Sequence, residues 1–439
     1  MLSAPDRRVV ERDPALPGLA VLLDPEAAAA LLARLYPEAE VAVVEATYLR
    51  YKPTTSCLAG YRVRLADGGE TLAYARASRL DAPDKVHKAT QRTALPSALG
   101  AGVRIEASRG LTVYPFPHDH ELNVLAHLAD DKHRRRLLRS LVPDRRDLWR
   151  GRVLPLRYKP ERRFVGGLHT GGDRTEAPVA LVKFYAGSEP EGSAAIYALR
   201  SDPALHLPRV LGRSRQHRAC ALEWLDGRPL DELLAEDPHP AGAFHAAGAA
   251  LARLHRLDCA LERRVDGRAI ASSLLATAEN LVSVQPELAG RAGRLVARLE
   301  RLLSGAASPR PVTLHGDFSP DQVLVRSEGV ALIDLDRAAR GEPAVDLAWF
   351  RASLLGAVAV GDLDRSRARG AFEALLDGYL AHGAPVDRDR LALLTGAALL
   401  RRAVEPFRLR SPRWPEVNQA LLAEAEAMAG DRIEAEAAR

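Results

Sequence analysis

From Val41 to Ser78 apolar and polar residues alternate with the two-residue period of half-buried strands, interrupted by two clusters of turn residues. "VAVVEATYLRY" leads to a turn at "KPTTS", "CLAGYRVRL" to a turn at "ADGGE", and "TLAYARAS" follows. The same layout returns from Gly151 as "RVLPLRY", "KPERR", "FVGGLHT", a Gly-rich turn and "PVALVKFY". The pentapeptide "LRYKP" stands at Leu49 to Pro53 and again at Leu156 to Pro160. The displacement that lays Leu49 on Leu156 also sets Gly60 on Gly167, Arg76 on Lys183 and Val103 on Val210, and one residue more sets Leu122 on Leu230. Self-similarity at one fixed spacing reads as duplication of a folding unit.

Beyond the strand and turn of "ACALEWLDG" the rhythm becomes helical. It is carried by "GAFHAAGAALARLHRLD", "LAGRAGRLVARLERLL", "GAFEALLDGYLAHG", "RLALLTGAALLRRAVEPF" and "PEVNQALLAEAEAMA". Strand-rich segments followed by a helix-rich half predict an α+β protein, bilobal, with a cleft between its lobes. The expected division is a cap domain over 1–130 that repeats the strand-rich lobe in degenerate form, a charged helix and linker over 131–150, a β-rich lobe over 151–226 and a helical lobe over 227–439.

Composition narrows the partners. In 439 residues, 47% are hydrophobic and 27% charged, with a formal charge of +5. The basic residues are dispersed among acids and form no nucleic-acid arm, so no nucleic-acid partner is expected. No signal pattern opens the chain, and no apolar run of roughly 18 residues is present, so neither secretion nor a membrane partner is expected. Cys57, Cys220 and Cys259 are odd in number and far apart, which fits a reducing cytoplasm and excludes a disulfide framework. Lysine occurs only at 52, 85, 88, 132, 159 and 183, so chemistry that needs an ammonium has few candidates.

The chemistry concentrates in two stretches, "LHGDFSPDQVLV" from Leu314 and "VALIDLDRAARGEPAVDLAWF" from Val330. Each places polar residues just past a short apolar strand. Asp317, Gln322 and Asp334 thereby fall on adjacent loops, and their oxygen donors suit Mg²⁺ beside a phosphate. Phosphoryl transfer also needs a cation on the phosphates. Lys183, in mid-strand within "ALVKFY", supplies one, with Glu191 at the start of the following helix as its partner. The turn "KPERR" adds Lys159, Arg162 and Arg163, which can meet phosphate by charge.

These motifs resemble the aminoglycoside phosphotransferase and choline kinase family, relatives of the protein kinases. "HGDFSPDQ" follows its His-Gly-Asp…Asn pattern, "IDLDRAARGEPAVDLA" its Ile-Asp-x-Asp pattern, and "LEWLDGRPL" its hinge. The resemblance runs from about Gly151 to Phe407. It implies a bilobal protein-kinase-like fold, ATP and Mg²⁺ as cofactors, and transfer of the γ-phosphate to a small-molecule hydroxyl. By the same resemblance Asp317 would be the catalytic base, Asp334 the principal metal ligand and Gln322 a second metal ligand. Lys183 would contact phosphates with Glu191 as its ion-pair partner, and the backbone at Glu223, Trp224 and Leu225 would receive the adenine. The family carries Asn where this chain has Gln322, a residue one methylene longer, which the maltokinase-like sugar kinases also carry.

Other residues have plainer expectations. His315 is read as structural, Asp346 as a helix N-cap, and Asp336 as either a solvated loop residue or a support for the metal ligands. Glu405 and Arg408 are weighed for the acceptor pocket. Because the helical half mixes Arg with acids, a sugar, amino sugar or similar metabolite is expected as acceptor, in a monomer or homodimer. The alternatives are an antibiotic-modifying phosphotransferase and a nucleotide-binding pseudokinase or interaction module. The first copy lacks a His-Gly-Asp unit of its own and is expected to bind no ATP, with Arg76 paired to Asp84 and silent in nucleotide binding.

Overall fold

The computed structural model describes residues 2–81, 95–170, 177–187, 195–197, 205–236, 240–305 and 310–437. The α+β class expected from the sequence is the one observed. The chain forms two compact units. The first holds residues 1–189, 210–224 and 407–412, the second residues 190–209, 225–406 and 413–439.

The first unit contains two five-stranded antiparallel sheets with the same strand order. One is built from β1 (Val41–Lys52), β2 (Ser56–Leu65), β3 (Glu70–Ser78), β4 (Arg104–Glu106) and β5 (Leu111–Pro115), in the order β1-β2-β3-β5-β4. The other is built from β6 (Arg152–Lys159), β7 (Arg163–His169), β8 (Ala180–Tyr185), β9 (Val210–Ser214) and β10 (Ala219–Glu223), in the order β6-β7-β8-β10-β9. The registers agree as well. Lys52 faces Ser56 as Lys159 faces Arg163, and Cys57 faces Ala77 as Phe164 faces Phe184, each at the displacement found in the sequence. Arg76 faces Thr112 as Lys183 faces Cys220. Register in a half-buried sheet is set by which face is apolar, so matching patterns give matching pairings. Both first turns also put a non-glycine residue in the left-handed region, Thr54 at φ 57° and Glu161 at φ 58°. That conformation costs roughly 1–2 kcal/mol for an L-residue.

The two sheets differ in what fills them. Phe164 and Phe184, buried and 5.9 Å apart, sit where the first sheet has Cys57 and Ala77. The first sheet instead stacks Tyr74 on Tyr114 at 4.5 Å. The stretch 131–150 does contain a helix, Asp131–Leu141, but it is not a linker. Leu137, Leu138, Leu141, Val142 and Leu148 are fully buried in one core with Phe164, Val182 and Phe184. Its charges lie on one face of an amphipathic helix, and the other face belongs to the second sheet. Gly212 on β9 makes the contact possible, since a Cβ there would lie 1.8 Å from the Leu141 carbonyl oxygen. Phe407–Pro412 returns to this unit, where Arg410 forks onto Asp6 at 3.0 and 2.8 Å.

The second unit is mainly helical. Helices at Ala241–Arg256, Ala289–Gly305, Arg365–Leu380, Arg388–Arg402 and Trp414–Ala437 answer the five helical stretches of the sequence, and Gly267–Val284 and Ala344–Val360 join them. Six short strands complete it among the described residues: β11 (Arg228–Pro229), β12 (Arg264–Val265), β13 (Val312–Leu314), β14 (Val323–Arg326), β15 (Gly329–Leu332) and β16 (Ala339–Gly341). They form two three-stranded sheets, β11-β14-β15 and β12-β16-β13. No described helix is long and apolar enough to cross a membrane.

Candidate active site

The His-Gly-Asp loop leaves β13 and is held by a buried carboxylate. Asp346 is fully buried, and its Oδ2 accepts the His315 N–H at 2.7 Å while its Oδ1 accepts the Gly316 N–H at 2.9 Å. His255 Nε2 donates to the same Oδ2 at 3.1 Å, and its Nδ1 lies 3.0 Å from the Tyr379 hydroxyl. Burial pushes the Tyr379 pKa up, so the hydroxyl stays protonated and donates to that nitrogen. Asp346 is therefore not an N-cap: it lies in the first turn of Ala344–Val360, whose N-cap is Pro343, and its oxygens are spent on the loop. His315 is structural as expected, its Nε2 donating to the Ile333 carbonyl at 2.8 Å. Gly316 has no substitute. Its φ is 79°, and an added Cβ would lie 2.0 Å from the Arg337 carbonyl oxygen.

These contacts fix the backbone leading into Asp317 and leave its side chain 55% accessible. The same loop continues through a short 3-10 turn to Gln322, which is 8% exposed. The β14–β15 hairpin pairs Val323 with Leu332, and the Ile333 N–H donates to the Gln322 carbonyl at 3.0 Å. Gln322 is thereby set beside the residue that precedes Asp334. Asp334 itself has left-handed backbone at φ 59°, which ends β15 abruptly and opens the next turn. The Gln322 Nε2 donates to Asp321 Oδ2 at 2.8 Å. A carboxylate can only accept, so this contact fixes the amide orientation, with the nitrogen toward Asp321. Asp336 and Arg337 complete the turn.

Three arginines crowd this loop. Arg337 Nε lies 3.6 Å from Asp317 Oδ2, and Arg263 Nη1 donates to the Arg337 carbonyl. Arg401 lies over the Trp349 ring at 5.4 Å. Both Arg263 and Arg401 have pKa values pressed below the ordinary arginine range, first by desolvation and then by the Arg337 charge. The Asp317 carboxylate, beside Arg337, acts on both in the opposite direction. The sequence reading missed Arg263 and Arg401, which come from segments far from Asp317 along the chain, one before it and one after it, and carry no motif. Of the two acceptor-pocket guesses, Glu405 belongs to this neighbourhood, 3.6 Å from Arg402 and acting on Arg401. Arg408 belongs to the first unit.

The remaining assigned residues lie mostly in the first unit. Lys183 is 2% exposed in mid-β8, opposite Val165 on β7 and Cys220 on β10. Arg162, exposed, and Arg163, half-buried, lie at the β6–β7 turn with Lys159. Glu223 closes β10 opposite Ala180, and Trp224 and Leu225 follow it, Trp224 in the first unit and Leu225 in the second. Glu191 and Asp84 lie outside the described residues. Among the described residues no three His, Cys, Asp or Glu side chains form a metal cluster. An oxygen set of Asp317, Asp334 and the Gln322 amide contains only two carboxylates, and such a set is chemically fit for Mg²⁺, which keeps several waters and phosphate oxygens in its shell.

Residues 188–394 match the model of the phosphotransferase enzyme family. No curated protein matches the sequence. Among solved structures, a choline/ethanolamine kinase family protein from Mesorhizobium loti is 16% identical over 61% of this chain and 85% of its own, with a TM-score of 0.44. An aminoglycoside phosphotransferase from Streptomyces rimosus is 21% identical over 61% and 97%, with a TM-score of 0.41. Choline kinase from Cryptosporidium parvum is 12% identical over 70% and 97%, with a TM-score of 0.48.

Proposed function

We infer from the phosphotransferase family match over residues 188–394 that this chain is a small-molecule phosphotransferase, and we propose that it moves the γ-phosphate of ATP to a hydroxyl of a sugar, amino sugar or similar metabolite. The observation that carries this reading is the Asp346 anchor. It fastens the loop through two backbone N–H groups and leaves Asp317 as an accessible carboxylate on a rigid support. Such a group can orient an acceptor hydroxyl and take its proton late in a loose transition state. Asp334 and Gln322 would hold Mg²⁺, which when bound supplies neutralisation of phosphate charge. Lys183, with Lys159, Arg162 and Arg163, would meet the nucleotide phosphates, and the backbone at Glu223, Trp224 and Leu225 the adenine.

Gln322 then has a specific role, a neutral oxygen that completes the metal shell without adding charge beside Asp334. Gln322→Ala is expected to raise the Mg²⁺ concentration needed for half-maximal activity about tenfold, the scale for a perturbed metal site. Nucleotide binding without metal should stay within about twofold of the unchanged protein. An unaltered Mg²⁺ titration would mean that the residue only packs the loop.

The arginines bear on the acceptor. A polycationic aminoglycoside brought to Asp317 meets Arg263, Arg337 and Arg401, and like charges in proximity are repulsive. An acceptor carrying a carboxylate or phosphate would offset the Arg337 charge, which adds to burial in lowering the Arg263 and Arg401 pKa values. Matched pairs of sugars, neutral and acidic, tested with ATP are expected to favour the acidic member. Arg401→Gln should raise the KM of the acidic acceptor about tenfold, the loss of one charge-assisted contact, and leave the KM of ATP unchanged. Preference for a cationic acceptor, an amino sugar included, would overturn the preference for the acidic member and leave the phosphotransferase reading in place.

A further inference from the structure

The first turn of each sheet is fastened by one buried aspartate. Asp13 Oδ2 accepts the Tyr51 hydroxyl and the Thr54 N–H, both at 2.8 Å. Asp119 Oδ2 accepts the Tyr158 hydroxyl at 2.6 Å and the Glu161 N–H at 2.9 Å. Tyr158 and Glu161 are the repeat counterparts of Tyr51 and Thr54, and Asp119 stands one position short of the counterpart of Asp13. The other oxygen of Asp119 accepts the Glu121 and Leu122 N–H groups at 2.7 and 2.8 Å, so the carboxylate is itself fixed. The two copies thus share a device that stabilises a left-handed turn residue without a glycine.

They part at the side chain of that residue. Thr54 is short and exposed, whereas Glu161 is 7% exposed and reaches across to the first sheet. Its carboxylate is held there by Arg76, whose Nη1 lies 3.1 and 3.2 Å from the two oxygens, and by Arg50. Arg76 is the register counterpart of Lys183. Arg50, Lys52 and Arg76 of the first sheet line an open cavity of about 400 Å³ with Glu121, Ala186 and Gly187, and Glu161 takes two of the three cations. An anion therefore already sits on the residue that matches the phosphate-meeting lysine of the second sheet, and it comes from the turn that carries Lys159, Arg162 and Arg163.

We propose that the first sheet is a phosphate-binding copy whose site has been filled from within the chain by Glu161, and that the filled site serves as a clasp that positions the Lys159–Arg163 turn for the nucleotide. The proposal rests on the phosphotransferase reading and adds to it a task for the first copy. Arg50, Arg76 and Asp119 are positioning residues, since they act on the nucleotide only through the turn. The cations crowded on one short turn repel one another, and a turn that had to be ordered at each binding event would bind more weakly. The clasp orders it beforehand. The proposal thus gives Arg76, expected from the sequence to be silent, a task through its contact with Glu161 in the first turn of the second copy.

The test compares the unchanged chain with Glu161→Gln, Arg76→Met and the double variant, which removes both partners of the Arg76–Glu161 pair and leaves neither of them facing an unpaired charge on the other. Amide hydrogen exchange across residues 158–163 reads the clasp directly, and KM values for ATP and acceptor read its use. Faster exchange, an ATP KM raised about tenfold and an unmoved acceptor KM are expected, because small misplacements of positioning groups are felt strongly in binding. The double variant should be no worse than the worse single one, since both act through one contact. Unchanged exchange in the single and double variants would overturn the clasp. Faster exchange with an ATP KM within about twofold of the original would overturn its role toward the nucleotide. A native chain that binds no ATP would sink the phosphotransferase reading instead, and the exchange data would still decide whether the clasp exists.

Discussion

Replacing Asp317 with Asn is expected to lower turnover by about 10²-fold or more, the scale of a positioned general base, while ATP binding persists. The amide keeps the size and the hydrogen-bonding reach of the carboxylate but cannot accept the acceptor's proton. It also removes the negative charge that faces Arg337 at 3.6 Å, so the three arginines would be left with less compensation. Single-turnover kinetics on a variant with an unchanged melting profile would isolate the chemical step. Turnover near that of the parent would move the base elsewhere, with Asp336 as the next candidate.

Asp346→Ala should have the largest structural effect in the second unit. It strips partners from two buried backbone N–H groups and from His255 at once. Breaking one side of such a buried network costs about 3–5 kcal/mol, because the groups left behind can neither reach water nor find another acceptor. A loss of unfolding free energy of that size, read from urea denaturation, is expected, together with accelerated hydrogen exchange at His315 and Gly316. Activity should fall with it, although Asp346 touches no substrate in this account. An unfolding free energy within about 0.5 kcal/mol of the parent, the usual range of surface substitutions, would show that the loop is held by something else.

Much of this candidate site was legible in the chain before any fold was known. Asp317, Gln322 and Asp334 stand out because short apolar strands end immediately before polar residues that no core would accept. The hairpin that joins them follows from the same alternation. That Lys183 is buried in mid-strand was legible from the apolar alternation around it. Asp346 was misread for a physical reason. An aspartate in the first turn of a helix is favoured there by the helix dipole, and sequence cannot say whether its oxygens turn to its own helix or to a loop earlier in the chain. His255, Arg263 and Arg401 were invisible, since each is an ordinary residue on an ordinary helix or loop until the fold brings it to the Asp317 loop.

Strand rhythm, turn chemistry and the internal repeat determined two like sheets with like registers, because pairing in a half-buried sheet depends only on which positions are apolar. Local sequence also determined that "DKHRRRLLRSL" is a helix. Only the tertiary structure decided that this helix joins the second sheet's core, since an apolar stripe states that a face is buried and not against what. Likewise the chain could show that Arg76 replaces Lys183, but not that Glu161 is its partner. Charges this far apart in sequence pair through the packing of two sheets, and that packing is set by shape complementarity that no spacing along the chain encodes.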